Sequence, residues 1–132
     1  MAVISRMEIV NRLPQPLSLH YLQTCCGYKF PEELSTDEET TLCATSDDKC
    51  IYTIGGLDNH IIVIDIEDFD QRGKVEIFSV DRTKTDILEQ DSKDAKKLLA
   101  WDNREPIEGL EVSENYKAEY ITRTKVWAVS VK

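Results

Sequence analysis

Hydrophobic positions along the chain recur mostly at every second residue, the period that places alternate side chains on opposite faces of a strand. Residues 3–10 read as a first strand, with Met7 and Ile9 alternating against Arg6, Glu8 and Asn11. Pro14-Gln-Pro16 makes a turn, because proline fixes φ and pushes the preceding residue extended. Leu17, Leu19 and Tyr21 then alternate with Ser18 and His20 as a second strand. Residues 29–40 read as an acidic loop. Residues 41–46 and 49–55 are expected to form a hairpin about Asp47-Asp48, since aspartate tolerates left-handed backbone and bonds its own main chain. Residues 60–66 are β-branched almost throughout and fit a central strand buried on both faces. Residues 74–80 alternate again, with Val75, Ile77 and Ser79 on one face and Glu76, Phe78 and Val80 on the other.

The period changes over 85–101, where Leu88, Ala95, Leu98 and Leu99 share a helical face. Asp86 and Ser92 are the candidate N-caps, and Lys93, Lys96 and Lys97 stand toward the end where cations oppose the helix dipole. Strand pattern returns at 107–112, 116–122 and 125–131, and leaves open whether 122–125 turns or runs straight. Eight or nine short strands with one helix near residues 86–101 predict an all-β, mainly antiparallel fold. The expectation is a single β-sandwich domain, or a flattened barrel, over residues 1–132.

Composition narrows the class. Of the 132 residues, 41% are hydrophobic and 31% charged, as in chains that fold in water. The longest uncharged apolar stretch, 60–64, is far short of the ~20 residues of a membrane-spanning helix. The N-terminus lacks the basic-then-apolar pattern of a secretory signal, and no Asn-x-Ser/Thr sequon occurs. A cytoplasmic protein is therefore expected, or a secreted one if this is a processed mature chain.

Charge adds a location. Residues 29–70 carry twelve acids and two bases, enough to account for the whole net charge of −9. An acidic chain is a poor match for nucleic acid or anionic membranes, whose affinity comes from Lys and Arg; it suits a protein with a basic surface, a cation, or simply solvated loops that keep the chain in solution. The acids form two knots: Glu32, Glu33, Asp37, Glu38 and Glu39, and then Asp65, Glu67, Asp68 and Asp70. The second knot has carboxylates enough for a calcium loop but lacks the glycine an EF-hand needs at its sixth position, so a solvated turn is the plainer reading.

Catalytic motifs are missing. Gly55-Gly56 lacks the Lys-Ser/Thr of a phosphate-binding loop, and no Gly-x-Ser-x-Gly occurs. His20 and His60 lie within strands, and only Cys25 or Cys26 offers either a nucleophile. With Cys43 and Cys50, these cysteines allow free thiols, two disulfides or, least well matched in spacing, a zinc site. No cofactor and no metal is expected. Trp101, Tyr116, Tyr120 and Trp127 are the C-terminal aromatics: core residues on the bland reading, a sugar- or lipid-headgroup-binding face on the sharper one.

Over residues 3–80 the layout resembles the small aegerolysin and actinoporin-like β-sandwich proteins. The elements are a first strand ending Ile9-Val-Asn11-x-Leu13, a second carrying Leu17-x-Leu-x-Tyr21, a strand with Tyr52 and an apolar strand ending in acid. The resemblance implies a sandwich. The chain lacks the Trp/Tyr-rich tip loops with which such proteins contact lipid, and its middle is strongly acidic. The expected function is a non-enzymatic interaction protein, such as an inhibitor, effector or neutralising protein, offering its acidic region to a basic partner. The alternative is a glycan- or lipid-headgroup-binding module.

Overall fold

A computed structural model describes residues 4–23, 30–45, 49–56, 59–66, 72–100 and 105–132. They form ten strands and one short helix: β1 (Ile4–Asn11), β2 (Leu17–Gln23), β3 (Glu33–Leu34), β4 (Glu39–Thr45), β5 (Lys49–Ile54), β6 (His60–Asp65), β7 (Lys74–Val80), α1 (Lys93–Leu99), β8 (Leu110–Val112), β9 (Tyr116–Ile121) and β10 (Val126–Val131). One sheet has the order β4-β1-β10-β9, the other β3-β2-β5-β6-β7-β8. Every pairing is antiparallel except that of β1 with β10. The fold is thus an all-β sandwich, and neither sheet closes into a barrel.

The period-two pattern explains the layers. Met7, Ile9, Leu42 and Val129 point from the four-stranded sheet into a core shared with Leu17, Cys50, Tyr52, Ile62, Ile64, Val75 and Ile77 of the other sheet. The opposite face of the six-stranded sheet presents Ile51, Ile61 and Val80, which pack against Ile87, Ala95 and Leu99. The helix and the turns before it therefore form a third, partial layer. Strand β6 lies between β5 and β7 and contributes to both clusters, as a run without polar alternation should.

Two expectations need correction. Strands β4 and β5 do not form a hairpin: β4 pairs with β1 in one sheet, and β5 with β2 and β6 in the other. Aspartates favour a turn locally, but burial decides the partner. Among the residues of β4 whose side chains are described, only Leu42 is buried, which suits an edge strand; β5 buries Cys50, Ile51, Tyr52 and Ile54 and sits inside a sheet. The Asp47-Asp48 connection itself lies outside the described residues.

The helix is also shorter than 86–101, because side chains claim the backbone groups an earlier start would need. Thr85 Oγ1 accepts from the Ile87 amide at 3.2 Å, and the Ile87 carbonyl is bonded to His20 Nε2 at 2.7 Å. Ser92 is the N-cap, accepting from the Ala95 amide at 2.8 Å. Asp86 caps from a distance: its carboxylate accepts from the Ser92 hydroxyl and from the Lys93 and Asp94 amides. Residues 122–125 do turn, with the Lys125 amide bonded to the Ile121 carbonyl at 2.8 Å and Lys125 at φ 59°.

Candidate binding sites

The first acidic knot is a built surface. Glu32, Glu33, Asp37, Glu38 and Glu39 are all exposed. The segment is anchored to the end of β1 through Asn11, which is fully buried. Asn11 Nδ2 donates to the carbonyls of Gln15 and Leu34, both at 3.0 Å, and its Oδ1 accepts from the Leu13 amide at 2.9 Å. Its main chain bonds the carbonyl of Glu38 and the amide of Asp37. Glu38 accepts from the Ser35 amide at 2.8 Å and closes the turn locally. Asp37 stands at φ 63° and pairs with Arg12 at 3.0 Å.

The structure separates Asp65 from this knot. Along the six-stranded sheet, Glu33 faces Ser18 at one end of β2, whereas Asp65 faces Lys49, the partner of Gln23, at the other end. Asp65 is largely shielded and paired with Lys49 at 3.7 Å. Glu67, Asp68 and Asp70 lie outside the described residues.

The aromatic candidates also divide. Tyr116 is half-buried and meets His60 edge-on at 5.0 Å, as part of the core packing. Trp101 lies outside the described residues. Tyr120 and Trp127 are directly opposite one another on β9 and β10 and make an edge-to-face pair at 5.5 Å. Trp127 Nε1 donates to the Arg72 carbonyl at 2.7 Å, and the Arg72 guanidinium lies over the Tyr120 ring, 4.9 Å from its centre. Here the sheet opens into a cleft of about 370 Å³, lined by Arg6, Met7, Glu8, Arg72, Tyr120, Thr122, Lys125 and Trp127.

Sequence reading missed the cations of this cleft, because Arg6, Arg72 and Lys125 come from three segments far apart in the chain. One signal was available for the aromatics. Tyr120 and Trp127 stand at equal distances on either side of the 122–125 turn, so a hairpin there makes them cross-strand neighbours.

The histidines and the described thiols contact the scaffold. His20 binds the Ile87 carbonyl, and His60 Nδ1 lies 2.9 Å from Asn59 Oδ1. Burial pulls the His60 pKa below its ordinary value. Cys43 and Cys50 are free thiols on strands of different sheets; burial pushes the Cys50 thiol pKa well up. Burial, and then Cys50, also raise the pKa of Tyr52, whose hydroxyl donates to the Pro31 carbonyl at 2.6 Å. Cys25 and Cys26 lie outside the described residues. Among the described residues no group of three His, Cys, Asp or Glu is placed to hold a metal, and no helix is long and apolar enough to cross a membrane.

Comparison with family models, with curated proteins and with solved structures returns no match.

Proposed function

We propose that the chain is a non-enzymatic interaction protein that docks the 32–39 carboxylates against a basic protein surface. The observation that carries this reading is the density of exposed charge on a held segment: five exposed acids, with Arg12 paired to Asp37. Buried Asn11 fixes the segment to β1 before any partner arrives, which limits the ordering cost of association. Such a surface mainly accelerates encounter and rejects acidic competitors. The acidic face in this reading is smaller than the whole 29–70 charge block, since Asp65 is paired and points its charge elsewhere.

The test is capture from the native source with three baits. One is the unaltered protein. The second carries Glu32→Lys, Glu33→Lys and Glu39→Lys, sparing Glu38 because it holds the Ser35 amide. The third carries Glu108→Lys, Glu111→Lys and Glu114→Lys, which change net charge equally at three other exposed acids. The reading expects the second bait alone to lose its partner. Equal loss by both variants, or by neither, removes it. A glycan- or lipid-headgroup-binding module remains the second reading, favoured by the Tyr120–Trp127 pair at the wall of a cleft.

A further inference from the structure

The cleft at the β9–β10 turn goes beyond the acidic-surface reading and stands on separate residues. In a chain of net charge −9, the described residues lining this one concavity include three cations, Arg6, Arg72 and Lys125, against the single acid Glu8. The cations converge from β1, from the segment entering β7 and from the β9–β10 turn. No ion pair among the described residues involves Arg6 or Lys125. Arg6 and Lys125, both exposed, bring like charge to one concave wall, and such a wall focuses their field. The arrangement is favourable when an anion occupies it.

Two features shape this wall. Arg72 is fixed from both ends: its carbonyl receives the Trp127 indole N–H, and its guanidinium rests on the Tyr120 face. Gly73 beside it has φ +69°, and a Cβ there would strike the end of the Met7 side chain and come within 2.6 Å of the Asp65 carbonyl, so the chain passes close against the end of β6. Lys125 is held in the left-handed region at φ 59°, a conformation costly for most residues with a Cβ, free for glycine and better tolerated by asparagine. Residues kept in such conformations cluster at functional sites. Glu8 is held in turn, accepting from Thr41 Oγ1 at 2.7 Å.

We propose that this cleft binds a small organic phosphomonoester, with the dianionic phosphoryl group among Arg6, Arg72 and Lys125 and its organic body against Tyr120 and Trp127. Two guanidiniums and an ammonium match a dianion with three acceptor oxygens better than a single carboxylate. The cleft volume, about 370 Å³, suits a ligand of one ring plus a phosphoryl group. Trp127 already spends its N–H on Arg72, so the aromatic pair supplies apolar wall and stacking edge.

The experiment is calorimetric titration of the full chain with phenyl phosphate, inorganic phosphate and phenol. Saturable binding of phenyl phosphate, competed by inorganic phosphate and absent for phenol, is expected. Arg6→Gln should weaken it about tenfold, the scale of one charge-assisted hydrogen bond. Glu8→Gln keeps the Thr41 bond, removes the one carboxylate among the described lining residues and should tighten binding severalfold, which a purely structural residue would not do. Lys125→Gly should lower affinity while leaving the melting temperature equal or higher, separating binding from folding. No saturable binding of phenyl phosphate, or affinities unchanged across these variants, overturns the proposal. So does binding confined to vesicles of equal phosphatidylserine and phosphatidylcholine, which would make the cleft a membrane contact.

Discussion

At the residue scale, the buried polar groups define how this sandwich responds to pH and substitution. His60 is buried against Tyr116 and its pKa is lowered by that burial. The fold therefore prefers the neutral ring. Its contribution is complete above the unfolded value of about 6.5 and is lost as pH falls through the lower folded value. Denaturant melts between neutral pH and pH ~5 should show stability falling with acid, and His60→Gln should flatten that slope. Asn11 is the other such residue. Truncation to alanine strips partners from two buried backbone groups, those of Leu13 and Leu34, and from the part-buried Gln15 carbonyl. Each unpaired group costs roughly 1–3 kcal/mol, partly recovered by relaxation, so Asn11→Ala should lower unfolding free energy by about 2–4 kcal/mol in urea titrations. The sequence marked Asn11 only as a polar position in a strand. Its role rests on carbonyls that no local pattern reveals.

At the element scale, α1 is a seven-residue helix kept in place by its first turn. So short a helix is not stable on its own propensity. Ser92→Ala removes the N-cap and the partner of Asp86, and should cost about 1 kcal/mol. Circular dichroism with thermal melts would check it. Hydrogen bonds from Ser92, and then from the Asp94 and Lys93 amides, lower the Asp86 pKa. This contribution is present above the unfolded value of about 3.9 and disappears as pH falls through the folded one, a window separate from that of His60. The strands were legible where burial is simple: β6 from its β-branched run, β7 from its alternation. Pairing was not. Asp47-Asp48 carries a turn signal in the sequence, but β4 pairs with β1, with Leu42 in the inter-sheet core, while β5 joins the other sheet. The helix start misled for a related reason, since Thr85 and Asp86 divert backbone bonds that a periodicity argument counts as free.

At the scale of the whole molecule, the all-β character followed from period and turn spacing, while the arrangement of charge did not. The acid counted along the chain divides in space: the 32–39 knot lies by the end of β1, and Asp65 lies at the opposite end of the six-stranded sheet from Glu33. The cleft shows the same limit from the other side. Its cations are unremarkable singly, and only tertiary convergence makes them a site. Raising ionic strength should weaken both proposed interactions, since each places exposed charges in contact. In the bait comparison, the Glu32, Glu33 and Glu39 reversal should reduce the salt sensitivity of partner capture, and Lys125→Gly should leave it untouched.

The parallel pairing of β1 with β10 brings the earliest and latest strands of the described chain side by side in the middle of one sheet. Tension applied between the start of β1 and the end of β10 would slide these strands along each other rather than peel them apart. The evenly spaced bonds of a parallel ladder then share the load together. The sheet is a shear clamp between the first and last described strands, and it closes only after β10 has been synthesised.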